Sequence, residues 1–68
     1  MKHTQEEKQE FSKWFLNMLV KTGKRPVEVS EEIGNRPPTI YGWMSGHHMP
    51  TKLMRAVLND YFNKLLKK

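Results

Sequence analysis

Cysteine is absent from the 68 residues of this chain, which excludes a disulfide framework and any thiolate metal site. No apolar run approaches the roughly 20 residues that a membrane-spanning helix needs. The first eight residues, Met1–Lys8, also lack the hydrophobic segment of a secretion signal. We therefore expect a protein of a reducing compartment, the cytoplasm.

Residue combinations that most enzymes require are missing as well. The chain has no cysteine nucleophile and no glycine-rich phosphate loop. His47 and His48 are adjacent and have no acidic residue near them in sequence, so they make a poor metal-ligand set. A domain of this size also has little volume for a substrate pocket. We predict that the chain is not an enzyme and holds neither a cofactor nor a metal.

Acidic residues are missing from nearly half of the chain. Twelve Lys and Arg residues outnumber seven Asp and Glu residues, for a net charge of +5. No acid lies between Ile33 and Asn59, and this segment contains two histidines and three cations: Arg36, Lys52 and Arg55. Such a region attracts a polyanion. Ordinary solubilising charge is the alternative interpretation.

Helix-capping residues and apolar spacing predict the first three helices. The segment from Thr4 to Glu7 has the form of a capping box, so helix 1 should begin just after Thr4 and end at Gly23. Helix 2 should run from Pro26 to Gly34. The apolar stripe of helix 1 predicts core packing rather than a stacking platform for single strands: Phe11, Trp14, Phe15, Met18 and Leu19.

The second half of the chain continues the helical pattern. Helix 3 should begin at Pro37, because a proline forces the preceding residue out of the α region, and stop at Ser45–Gly46. Helix 4 should start at Pro50 or Thr51. Its apolar positions fit helical spacing: Leu53, Met54, Val57, Leu58, Tyr61, Phe62, Leu65 and Leu66. The predicted fold is all-α, one compact four-helix domain over residues 1–68.

The stretch from Pro26 to Gly46 predicts two short helices joined by a glycine turn, the pattern of a helix-turn-helix. It resembles the lambda-repressor/Cro-like (Xre-type) family over about residues 25–58. The positions that carry the resemblance are Val29, Ser30, Ile33, Gly34, Thr39, Ile40, Trp43, Gly46 and Pro50. The resemblance implies a small phage or bacterial transcriptional regulator, often a repressor, that binds an inverted-repeat operator as a homodimer.

Helix 3 departs from this family at the positions that usually read DNA. If Ile40 and Trp43 face the core, the opposite face carries no side chain for the usual bidentate contact with guanine or adenine. Arg36 is then either a guanine reader or a phosphate clamp. The residues predicted to contact bases through hydroxyls, apolar rings or a close backbone approach are Arg36, Pro37, Pro38, Thr39, Tyr41 and Gly42. Alternatively, the two prolines are simply a rigid helix start and Tyr41 an ordinary exposed aromatic.

Phosphate anchoring should depend on side chains, because Pro37 and Pro38 have no backbone N–H and Thr39 supplies the first amide of helix 3. The predicted phosphate contacts are Lys24, Arg25, Ser45, His47, His48 and Lys52. The two histidines can equally be plain loop residues.

One module of this size needs a second copy for useful specificity, so we predict a homodimer on half-sites roughly 10 bp apart. If helix 1 covers only part of the helix 4 stripe, the rest is a candidate dimer surface. Occlusion of a promoter is the simplest mechanism, and the acids of helix 2 could instead contact RNA polymerase. The alternative from another class is a protein-interaction module of the antitoxin or anti-repressor type.

Overall fold

Four helices build the fold. The computed structural model describes residues 4–67, and this part of the chain consists of α1 (Gln5–Thr22), α2 (Pro26–Ile33), α3 (Pro37–Ser45) and α4 (Lys52–Leu66), with no strand. The predicted all-α class is confirmed. Helix α3 packs against both α1 and α2, and α1 also packs against α4. Within residues 4–67 no helix combines the length and the apolar character needed to cross a bilayer.

The helix ends follow the capping signals in the sequence. Thr4 accepts a hydrogen bond at its Oγ1 from the N–H of Glu7 at 3.1 Å, and its own N–H donates to the Glu7 carboxylate at 3.0 Å. Helix α4 begins one or two residues later than predicted. Thr51 is its N-cap, with Oγ1 accepting from the N–H of Met54 at 3.2 Å, and Pro50 is buried ahead of the helix.

Aromatic rings from three helices form the centre of the core. Phe15 of α1 is fully buried, and its ring meets Trp43 of α3 and Phe62 of α4 edge to face, at centroid distances of 5.9 and 5.8 Å. Phe11 also meets Trp43 at 6.1 Å, and Trp14 meets Phe62 at 5.7 Å. Edge-to-face pairs at these distances add stability beyond the area they bury. The predicted packing role of the α1 stripe is confirmed, and α3 is held against α1 through Trp43.

Helix α4 buries only part of its apolar stripe. Leu58 and Phe62 are fully buried, and the half-buried members of the stripe are Met54, Tyr61 and Leu65. Three apolar side chains are exposed instead: Leu53 (78%), Val57 (42%) and Leu66 (45%). Leu53 and Val57 each precede a covered residue by one position, which is a rotation of 100° around the helix axis. Helix α1 therefore covers one arc of α4 and leaves the arc with Leu53 and Val57 open.

Candidate nucleic-acid interface

A three-residue turn, Gly34 to Arg36, connects α2 to α3. Gly34 has a φ of +79°, a conformation that favours glycine, and its N–H donates to the carbonyl of Ser30. The N–H of Asn35 donates to the same carbonyl at 2.9 Å. Ser30 is 1% exposed and its hydroxyl donates to the carbonyl of Val27 at 2.7 Å, so it is satisfied within its own helix. The turn therefore has the short, glycine-ended form that the sequence predicts.

Helix α3 has one buried face and one open face. Ile40 and Trp43 are buried, at 0% and 3% exposure, as predicted. The exposed residues of the turn and helix are Arg36, Pro37, Pro38, Tyr41 and Ser45, whereas Thr39 and Gly42 are half-buried. The open face thus carries two proline rings, a tyrosine and a serine, with a guanidinium at its N-terminal end.

The N-terminus of α3 offers no backbone amide to a ligand. Pro37 and Pro38 have no N–H, and the N–H of Thr39 donates to the carbonyl of Arg36 at 3.0 Å. The N–H of Ile40 reaches the same carbonyl at 3.3 Å. The Thr39 amide, which the sequence leaves available for a phosphate, is therefore already bonded. The Arg36 guanidinium makes no ion pair with any residue of 4–67.

The C-terminus of α3 ends in a Schellman motif. The N–H of His47 donates to the carbonyl of Gly42 at 3.1 Å, and the N–H of Gly46 donates to that of Trp43 at 3.4 Å. Gly46 has a φ of +80°, which reverses the chain direction at this point. The motif turns residues 46–48 back along the helix they have just left.

Two side chains of α1 fix this end of α3. The Ser12 hydroxyl is buried and donates to the carbonyl of Met44 at 2.5 Å. The Gln5 side-chain amide donates to the carbonyl of Gly46 at 3.3 Å. Carbonyls in the last turn of a helix lack partners within the helix, so these bonds satisfy acceptors that would otherwise need water. They hold α3 and the start of the following loop on the α1 scaffold.

His48 lies directly against Gly42. A Cβ built on Gly42 would overlap the imidazole ring of His48 at Cε1, Nε2 and Nδ1, so no larger residue fits while the ring is there. The sequence predicted that Gly42 would allow a close backbone approach to DNA. In the folded chain that space is filled by His48, which is itself exposed to solvent.

Lys24, one of the predicted phosphate contacts, is paired within the protein. Its Nζ lies 3.0 Å from Oε2 of Glu32, and the Tyr61 hydroxyl donates to Oε1 of the same carboxylate at 2.5 Å. The hydrogen bond with Glu32 raises the pKa of Lys24. The bonds from Tyr61 and Lys24, in that order, lower the pKa of Glu32. Burial, followed by the bond to Glu32, raises the pKa of the Tyr61 hydroxyl. This network joins the segment before α2 to the last turn of α2, and that turn to α4.

The other basic residues divide into exposed and covered ones. Arg25, His47 and Lys52 are exposed. Arg55 is half-buried beside Phe11, and its Nε atom has no hydrogen-bond partner within residues 4–67. Among the three cations of the acid-free segment, Arg36 and Lys52 therefore supply the accessible charge.

A shallow groove brings Thr39 and His48 together with two polar residues that the sequence analysis missed. Asn35 and Thr51 line this groove as well. Asn35 donates to the sulfur of Met54 at 3.6 Å. Its position immediately after the turn glycine was the signal available in the sequence, because a residue there lies next to the first turn of the following helix.

Tyr61→Phe is expected to reduce stability in a pH-dependent way. Glu32 has a lowered pKa, so its contribution is present above its ordinary value of 4.5 and is lost as the pH falls through the lower folded value. Tyr61 has a raised pKa, so its contribution is complete below 10.0 and is lost as the pH rises beyond that. Thermal melts should show a Tm about 2–4 °C below that of the wild type at neutral pH. The effect is small for a lost hydrogen bond because this bond is exposed to solvent.

The matched control is Tyr41→Phe, because the Tyr41 hydroxyl is on the open face of α3 and makes no hydrogen bond to residues 4–67. Its Tm should equal that of the wild type throughout. A Tyr61→Phe deficit that persists unchanged at pH 3 would contradict the proposed network.

Comparison of the chain with protein-family models, with curated proteins and with solved structures gives no match.

Proposed function

We propose that this chain is a sequence-specific DNA-binding transcriptional regulator, in which α2 and α3 act as a helix-turn-helix and α3 enters the major groove. The observation that carries the proposal is the form of α3. It is anchored by Ile40 and Trp43, follows α2 after a three-residue turn, and leaves a full face open with Arg36 at its head. A second helix presented in this way is the element that reads base edges in helix-turn-helix proteins.

The charge distribution supports a polyanionic partner. Three exposed cations lie at the starts of α2, α3 and α4, one at each helix: Arg25, Arg36 and Lys52. No acidic residue separates Arg36 from Lys52, whereas three glutamates of α2 lie between Arg25 and Arg36. Helix-start cations are unfavourable for the helix dipole, so they bring no local benefit to folding. Contact with phosphates gives them a use.

The open arc of α4 supports a homodimer. Leu53 and Val57 are one helical turn apart and exposed, and Lys52 immediately before them is a candidate phosphate contact. An isologous contact through this arc would bury the same residues of both copies. Two copies would then bind an inverted repeat with half-sites about 10 bp apart.

Repression by occlusion is the mechanism we propose, since a bound dimer covers its operator without any further contact. The exposed acids Glu28 and Glu31 of α2 provide a surface for RNA polymerase if the regulator activates instead, although one Glu28 carboxylate oxygen already accepts the N–H of Arg25 at 2.9 Å. Glu32 is engaged by Lys24 and Tyr61 and would not take part.

Arg36→Ala is expected to weaken binding to a selected operator duplex by about 5- to 150-fold, the range for one good base contact. Arg36→Lys distinguishes the two roles left open for this residue. A bidentate guanine reader loses most of its affinity when the planar fork is replaced by an ammonium, whereas a phosphate clamp keeps it. Fluorescence anisotropy on selected and scrambled duplexes measures both effects.

Lys13→Ala is the control for charge alone, because Lys13 is an exposed cation on α1. It should bind like the wild type. Unchanged binding by Arg36→Ala would remove Arg36 from the interface.

The rival function, a protein-interaction module, draws on one feature of α3: its open face lacks any long polar side chain between Arg36 and Ser45. It predicts weak DNA binding with little salt dependence and no sequence preference. Binding to selected and scrambled duplexes at two salt concentrations separates the two functions.

A further inference from the structure

We infer that His48, from the loop after α3, is a base-reading residue whose ring lies on the open face of α3 where Gly42 has no side chain. This inference rests on the proposed function and deepens it. It assigns to His48 a direct contact with the major-groove edge of a purine. The sequence alone indicated only a phosphate contact or a plain loop residue.

Glycine at position 42 is unusual because it stands inside a helix. Three other glycines, at 23, 34 and 46, have positive φ values and end helices, but Gly42 lies inside α3. Glycine in a helix interior is about 1 kcal/mol less favourable than alanine. Backbone conformation therefore does not explain Gly42. The space that a Cβ would occupy is taken by the His48 imidazole, and that contact does explain it.

Hydrogen bonds at the end of α3 bring the loop that carries His48 back to the helix. The Gly42 carbonyl accepts hydrogen bonds from the N–H of His47 at 3.1 Å and from the Ser45 hydroxyl at 3.2 Å. These bonds turn the chain back over the last turns of α3. Pro50 is buried and fixes the far end of the same loop. The backbone of His48 is thus held beside the helix from both sides.

The His48 ring lies beside the open face of α3. Gly42 follows Tyr41 in α3 and lies one turn after Pro38, both of them exposed on the face proposed to meet DNA. His48 also lines a groove with Thr39. The ring is exposed although it packs on the backbone of α3. An imidazole N–H at this position can donate to N7 of a purine, an acceptor available in the major groove.

The test is a double-mutant cycle with Gly42→Ala and His48→Ala. The probe is the tightest-binding duplex that the wild-type protein selects from a random library of about 20 bp, long enough for two half-sites. His48→Ala should weaken binding to it by about 5- to 150-fold, with little loss on a scrambled duplex. Gly42→Ala should cause a similar loss, because the new methyl group displaces the exposed ring. The double variant should bind no more weakly than His48→Ala.

Stability separates this effect from misfolding. Gly42→Ala improves helix propensity and only displaces a solvent-exposed side chain, so its Tm should be no lower than that of the wild type. His47→Ala is the matched control, since it removes the neighbouring exposed histidine. It should leave the preference for the selected duplex unchanged. Replacing the contacted purine by its 7-deaza analogue should weaken the wild type but not His48→Ala.

A nuclear Overhauser effect between the His48 ring protons and the Gly42 α-protons tests the geometry without DNA. The wild type should show this effect, and the Gly42→Ala and His48→Ala variants should lack it. Its absence in the wild type would overturn the inference. Equal losses by His48→Ala on selected and scrambled duplexes would also overturn it, because they indicate a phosphate contact. Additive losses in the cycle would do the same. If the wild type selects no duplex at all, the proposed function fails and the inference fails with it. If the wild type selects a duplex and His48→Ala binds it equally well, only the inference fails.

Discussion

Replacing Phe15 with alanine is expected to leave most of the protein unfolded at 37 °C. The Phe15 ring is fully buried and contacts rings from α3 and α4 as well as Phe11 in its own helix. Removing a buried phenylalanine costs about 3–5 kcal/mol. A domain of this length has a total stability of about 3–10 kcal/mol. Urea denaturation followed by circular dichroism should show the loss directly.

The control for Phe15→Ala is Leu16→Ala, the adjacent residue of the same helix, which is 39% exposed. It should cost far less, because its side chain already contacts water in the folded state. Similar free energies of unfolding for the two variants would contradict the central position of Phe15 in the core.

Val57→Asp is expected to separate the dimer and to weaken binding to a two-half-site duplex by about 100-fold. An aspartate at position 57, in the open arc of α4, would meet its own copy across a two-fold axis that passes through this arc, where two like charges repel. Binding to one half-site should remain near the wild-type level, so the loss is one of avidity. Sedimentation and anisotropy on duplexes with one and two half-sites measure the two effects separately.

Val20→Asp is the matched control, since Val20 is an exposed valine on α1, at 81% exposure. It should leave both the oligomeric state and the affinity unchanged. A wild-type protein that sediments as a strict monomer at micromolar concentration, with and without DNA, would rule out the dimer.

Helix boundaries could be predicted from the sequence because local chemistry determines them. Thr4, Pro26 and Pro37 mark helix starts through their own side chains or rings, and the glycines at 23, 34 and 46 end helices through their own backbone conformations. Ile40 and Trp43, three residues apart and taken as the inward face of α3, are both buried. These features depend on residues within about one helical turn of each other.

Other features depend on residues far apart in the chain, and the sequence pattern does not contain them. Exposure of Leu53 and Val57 depends on which arc of α4 is covered by α1. The pairing of Lys24 with Glu32, and of Glu32 with Tyr61, spans up to 29 residues. Periodicity cannot indicate such contacts, because it reports only which residues of one helix share a face.

The candidate site shows the same division. The open face of α3 could be predicted, since it lies opposite Ile40 and Trp43. The position of His48 could not, because it depends on the path of a loop that has no periodic pattern. Gly42 and His48 are six residues apart, and only the Schellman motif at the end of α3 brings the ring back to the helix.

The most direct test of the central claim, specific DNA binding, is the affinity of the wild-type protein for its selected duplex and for a scrambled one at 50 and 200 mM salt. Two exposed cations per copy, Arg25 and Lys52, predict about four phosphate contacts for a dimer, and about six if Arg36 also binds phosphate. The slope of log K against log salt should then lie between about −3.5 and −5, a loss of roughly 10²- to 10³-fold across this range. The selected duplex should bind at least about 10³-fold more tightly than the scrambled one. Weak binding with a slope near zero and equal affinity for both duplexes would contradict the account.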